Sequence, residues 1–234
     1  MTWSIVARDA SGVFGVAIAT RFFAVGALCP HAQSGAGALS TQALVNPHYG
    51  SEGLELLRAG VPAPEVVQRL IAPDEGREHR QLHLIDAKGR IGQHTGARCV
   101  DWCGMLAGDG YSVAGNMLAN ERVVRDTAHA YEHSAKLPFP ERLIAALDAG
   151  QAAGGDKRGK QSAALIVCST ETYADLNLRV DDHAEPLAEL RRLYDKAHER
   201  FIPYLRCAPS TRRPWGETDR ARIEEEIARY RKPA

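Results

Sequence analysis

Thr2-Trp3-Ser4-Ile5-Val6-Ala7-Arg8, Asp9-Ala10-Ser11-Gly12 and Val13-Phe14-Gly15-Val16-Ala17-Ile18-Ala19-Thr20 decide how this chain is read. The first run is rich in β-branched and aromatic residues and the second is a turn sequence. The third is nearly all small or apolar. Together they predict a β-hairpin whose second strand is covered on both faces. Antiparallel pairing about the turn places Thr20 and Arg21 opposite Thr2. A slip of one residue would turn every side chain to the wrong face, so the register is well specified. Asp9 lies at the turn, about 23 Å along the strand from Thr2, which suits it to capping the turn rather than acting as a base.

The start of the first strand carries chemistry. Removal of Met1, usual before a small residue, is expected to leave Thr2 as the chain end, with no leader ahead of the strand. An N-terminal threonine holds a nucleophile and a base in one residue. An α-amine titrates near about 8, so part of it is a free base at neutral pH, and a Thr–amine pair is a recognised acyl-transfer device. Arg21 is expected beside this end, favouring the free amine and binding an anionic substrate group; a surface arginine at a strand end is the alternative. Ser4 shares the face of Thr2 by alternation, and either orients the nucleophile or sits in the core. Thr41-Gln42, at the end of another small-residue strand, are expected to line the same pocket.

These stretches, with Gly15-Val16-Ala17-Ile18-Ala19-Thr20-Arg21-Phe22 and Gly37-Ala38-Leu39-Ser40-Thr41-Gln42-Ala43, resemble the domain of unknown function 1028 family. This is a bacterial family grouped with the N-terminal nucleophile (Ntn) hydrolases. Asn46-Pro47-His48-Tyr49-Gly50, His94-Thr95-Gly96, Gly115-Asn116, Gly154 to Ala164 and Leu178 to His183 carry the resemblance further, over most of the chain. It implies an α+β fold, a four-layer αββα sandwich of two mainly antiparallel sheets flanked by helices. It also implies a nucleophile type, and names no substrate. Some members carry a longer C-terminal domain, of which this chain has at most a stub.

The order of elements agrees. A strand around 36–44 is followed by helices near 49–58 and 62–71. Gln81 to Asp86 and Arg90 to His94 form a second predicted hairpin, and strands return near 103–106 and 111–117. Helices over 120–133 and 140–149 precede strands at 162–168 and 176–180, the alternation that stacked sheets with outer helices produce. The Ntn-like domain is expected to span 1–205, its last helix running from Pro186 to Tyr204. Beyond it, 206–234 reads as a Pro- and Arg-rich linker and a charged helix that packs on the body or on a second subunit.

The chain has 234 residues, 29 Lys plus Arg and 29 Asp plus Glu, so no global field favours nucleic acid or a membrane surface. No apolar run is of spanning length. Five cysteines, odd in number and irregularly spaced, fit reduced thiols in a cytoplasmic protein. His129 and His133 make at most half a zinc site, and Cys99 and Cys103 have the wrong interval, so no metal or other cofactor is expected.

A threonine hydrolase also needs donors for the oxyanion. Gly115-Asn116 supplies a close backbone approach and an amide. The basic loop Gly154 to Lys160, with Asp156, and the polar pair Gln161-Ser162 are candidates for holding a substrate; the loop's spacing is not that of a P-loop. The resulting expectation is an amidohydrolase using Thr2 and Asn116. Its substrate would be small and carboxylate-bearing, bound by Ser4, Arg21, Thr41, Gln42, Asp156, Gln161 and Ser162, and the protein a homodimer. The alternative is a catalytically silent protein of the same fold that binds a small ligand or cell-wall fragment.

Overall fold

The computed structural model describes residues 2–231. Met1, on which the expected trimming rests, and residues 232–234 lie outside them. Strand β1 (Thr2–Arg8) turns through Asp9, whose Oδ1 accepts from the amides of Ser11 and Val13, into β2 (Phe14–Thr20). The short β3 (Pro30–Gln33) and β4 (Gly37–Ala43) follow, then helices α1 (His48–Arg58) and α2 (Ala63–Ile71). Next come β5 (Arg80–Asp86), β6 (Ile91–Thr95), β7 (Trp102–Gly108) and β8 (Tyr111–Leu118). Helices α3 (Arg122–His133) and α4 (Phe139–Ala152) lead to β9 (Ser162–Cys168) and β10 (Leu176–Val180). Helices α5 (Pro186–Ala197), α6 (Phe201–Leu205) and α7 (Arg220–Tyr230) complete the described chain.

Two antiparallel sheets result, one ordered β10-β9-β2-β1-β8-β7 and the other β3-β4-β5-β6. Alternation then builds four layers. Trp3, Ile5 and Ala7 of β1 face α3 and α4 within the larger apolar core. Leu39, Leu82 and Leu84 of the smaller sheet face α1 and α2. Between the sheets the packing divides. One end is apolar, with Val6, Phe14 and Val16 against Ala38 and Ile85. The other end is polar and equally buried, with Ser4, Gln42, Gln81, His83, Ser112 and Asn116. This is the αββα sandwich the sequence implies.

One strand was not foreseen and one expectation is corrected. Residues 30–33 form an edge strand that begins with a proline, the position where a missing N–H costs no ladder bond. The long helix from Pro186 to Tyr204 is instead two helices. A continuous helix would need the Pro203 N–H and would drive its ring into the carbonyl of Glu199, so the chain turns at 198–200 and restarts. The tail lies on this body: Arg200 and Arg206 pair with Glu224 and Glu226, and the Arg206 guanidinium covers the Tyr230 ring.

Asp86 ties the smaller sheet to its helices. Its buried carboxylate accepts from the amides of Lys88 and Arg90 in the β5–β6 turn, from Arg90 Nε, and from the Ala63 amide at the start of α2. Asp86→Ala is expected to lower unfolding free energy by about 1–3 kcal/mol. In urea denaturation this appears as a reduced midpoint with an unchanged slope.

Candidate active site

Thr2 lies between two partners in the larger sheet. On one side it pairs with Asn116 of β8. On the other, the β1–β2 register (Trp3 opposite Ala19) carries it to Thr20. Its hydroxyl donates to Thr20 Oγ1 at 3.2 Å, and Thr20 Oγ1 donates to Asp156 Oδ2 at 3.4 Å. The Asp156 side chain is fully buried and also accepts from the Arg21 amide at 2.6 Å and the Arg158 amide at 2.9 Å. A carboxylate bonded this way fixes the 154–161 loop against the end of β2 and terminates a hydrogen-bonded relay from Thr2.

Beneath Thr2 the polar inter-sheet layer is a directed network. Gln81 Nε2 donates to the Gly115 carbonyl and to Thr95 Oγ1, both at 2.9 Å. That orientation turns Gln81 Oε1 toward Gln42 Nε2 at 2.7 Å and Asn116 Nδ2 at 3.0 Å. Gln42 Oε1 in turn accepts from Ser4 at 2.8 Å. With its proton committed to Gln42, the Ser4 hydroxyl accepts from His83 Nε2–H at 2.7 Å, and His83 Nδ1 accepts from Ser112 at 2.9 Å. Complete burial depresses the His83 pKa to about 3 and keeps the imidazole neutral.

One atom is left over. Asn116 Nδ2 faces Gln81 and makes a long 3.5 Å contact with the Thr2 carbonyl, while Oδ1 has no partner among the described residues although buried. An orphaned buried acceptor beside a candidate nucleophile is costly and calls for a donor.

Thr2, Gln42 and Asn116 open into a cavity of about 410 Å³, toward the lower end of the range for small-molecule sites. Its walls are mostly apolar, from Phe22, Val25, Leu28, Leu44, Val45, Val100 and Met117, with His79, Arg98 and Arg158 among them and no carboxylate among the described residues. The backbone is strained here. Among the described residues, the four non-glycines with positive φ are Ala24 (53°), Ala43 (70°), Asp101 (55°) and Met117 (52°). Ala43 and Met117 line the cavity and the other two adjoin lining residues. Such conformations cost about 1–3 kcal/mol each and gather where function requires them.

Several expected site residues lie elsewhere. Arg21 does not reach the Thr2 cavity: its guanidinium donates to the Arg158 carbonyl and lines a separate surface depression with Gln161. The chain leaves β2 after Thr20, so the next side chain points outward. Gln161 bonds Asp182, and Ser162 donates to the Phe22 carbonyl and accepts from the Val25 amide, pinning the loop that bears two cavity walls. Thr41 faces away from Gln42, as alternation requires, and donates to the Asn46 carbonyl. Ser4 and Asp156 support the site from behind and do not line it. Sequence reading reached Arg158 only as part of the basic loop 154–160, and missed Arg98, Gln81 and His83. The alternation Gln81-Leu82-His83-Leu84 was the available signal for the last two: polar residues on one face of a strand whose other face is leucine. Cys29 also lines the cavity, but burial pushes its thiol up to about 12, away from the nucleophilic thiolate.

The chain belongs to the family of unknown function DUF1028, whose model matches residues 2–190. It is similar to a crystal structure of protein SPO2555 from Silicibacter pomeroyi, of the same family, at 31% identity and TM-score 0.86. That match covers 93% of this chain and 96% of the other. Anbu, an ancestral beta-subunit from Yersinia bercovieri, matches at 14% identity and TM-score 0.39, over 83% of this chain and 94% of that one. No curated protein matches.

The neutral His83 gives a pH prediction. Its folded pKa lies below its unfolded value of 6.5, so the unfolded chain binds the extra proton. Stability from this group is complete above pH 6.5 and is lost as pH falls toward about 3. In that window it contributes a slope of about 1.4 kcal/mol per pH unit. His83→Gln is expected to flatten the fall in unfolding free energy between pH 6.5 and pH 4.5, as read by urea denaturation at each pH.

Proposed function

We propose that the protein is an N-terminal-threonine amidohydrolase that cleaves an amide-type bond in a small, carboxylate-bearing substrate. The observation that carries this reading is the hydroxyl of Thr2, held at the cavity between a relay to Asp156 and an unpartnered Asn116 Oδ1. Removal of Met1 frees the Thr2 amine. The amine, directly or through one water, takes the hydroxyl proton as Oγ1 attacks the carbonyl carbon. The resulting ammonium donates to Asn116 Oδ1, the buried acceptor that otherwise lacks a donor. The Asn116 Nδ2 hydrogen in the long contact with the Thr2 carbonyl is the weaker of its two bonds, and is the donor this reading turns to the oxyanion. The ammonium then protonates the leaving nitrogen, and water hydrolyses the acyl-threonine ester. Arg98 and Arg158 give the cavity the cationic character that a carboxylate requires. In this reading the enzyme works in the cytoplasm as a homodimer.

Thr2→Ala is expected to lower kcat/KM on an amide substrate by about a thousandfold or more, while Thr2→Ser keeps measurable turnover. Asn116→Ala is expected to cost about a hundredfold in kcat. Asn116→Asp, which keeps the acceptor and loses the donor, falls between Asn116→Ala and the unaltered protein. An active Thr2→Ala protein, free of contaminating hydrolase, overturns the proposal. Retained ligand binding with no turnover by the unaltered protein favours the silent-binder alternative.

A further inference from the structure

Resting on the reading of Thr2 as nucleophile, we infer that the cavity is built for an N-acyl amino acid with a linear aliphatic acyl chain, its carboxylate anchored by Arg98. Two observations select this class. First, the walls of the cavity that Thr2 opens into are mostly aliphatic: Val25 and Leu28 follow β2 and Leu44 and Val45 follow β4, with Phe22 the one aromatic among the described apolar lining residues. Leu44 is 61% exposed and Val100 54%, so apolar surface continues to the mouth and offers a chain a dry path inward. A compact polar acyl group would leave these walls in contact with water.

Second, the two arginines are not equivalent. Arg158 is compensated by Asp156, whose Oδ2 lies 3.2 Å from its Nη2. Arg98, from the turn between β6 and β7, forms no ion pair among the described residues, and the lining contributes no carboxylate. Arg98 is exposed at the cavity lining, so its charge is open to a ligand, and a planar guanidinium matches a carboxylate in two-point geometry.

With the acyl carbonyl at Thr2, the Thr2 Oγ1–carbon bond forms and the carbon–nitrogen bond breaks. The proton lost by Oγ1 passes through the amine to the leaving nitrogen. The amino acid departs with the carboxylate that Arg98 held. Water then cleaves the ester to a fatty acid and restores Thr2.

The test is calorimetric binding to the Thr2→Ala protein, which cannot turn over its ligand. N-Decanoylglycine, below its micellar concentration, is expected to bind at least about tenfold more tightly than N-acetylglycine. Arg98→Gln in that background is expected to weaken N-decanoylglycine about fivefold or more and to leave neutral decanamide unchanged. Equal affinity across chain lengths, or indifference to Arg98→Gln, overturns the inference. So does absence of binding with concentration-dependent self-association, which would make the apolar rim a contact between copies. Amine release by the unaltered protein separates the two readings. Chain-length-dependent binding without release sinks the hydrolase alone, and release from N-acetylglycine in preference to N-decanoylglycine sinks the substrate class alone.

Discussion

The pairing register of β1 governs everything else in this molecule. The strand is central in the larger sheet, and its alternate residues serve two buried layers of opposite character. Trp3, Ile5 and Ala7 fill an apolar core against helices, while Thr2, Ser4 and Val6 face the second sheet. Displacing the strand by one position would put Trp3 into a hydrogen-bonded layer and strand Ser4 among leucines. The same register sets Thr2 beside Thr20 on one flank and Asn116 on the other, so the geometry of the site follows from the packing of the fold.

The polar half of the inter-sheet layer explains how those positions hold their orientation. Carboxamides and hydroxyls buried this deeply are stabilising only when each is satisfied. Here the satisfaction has a direction: two acceptors fix Gln81, Gln81 fixes Gln42 and Asn116, and Ser4 then fixes the tautomer of His83. The chain of assignments ends at the cavity with Asn116 Oδ1, where satisfaction stops. Four left-handed non-glycine residues at or beside lining residues make the same point in backbone terms. Order is imposed on this end of the sandwich at some cost in stability.

Much of the architecture was legible because period-two patterns are local. The β1–β2 hairpin and the Asp9 cap follow from alternation and turn residues, while the four-layer arrangement comes from the family resemblance. Proline decided two exceptions, marking an edge strand at Pro30 and dividing a helix at Pro203. The site was legible only where it belonged to a strand. Thr2, Gln42 and Asn116 could be placed by alternation, and the same rule, applied further, would have turned Thr41 away. Arg21 failed because one residue past a strand the direction of a side chain is set by the loop. Arg98 and Arg158 come from distant turns and meet only in the folded chain, which no spacing in the sequence reveals.

The central claim is that Thr2 is a free chain end whose amine activates its own hydroxyl. Intact-mass analysis before and after exposure to a β-lactone probe, with the adduct mapped by peptide sequencing, tests it most directly. The account predicts a starting mass lacking Met1 and a single acyl adduct on Thr2, absent from the Thr2→Ala protein. Retention of Met1 on the reactive protein, or an adduct carried by another residue such as Cys99, would contradict it.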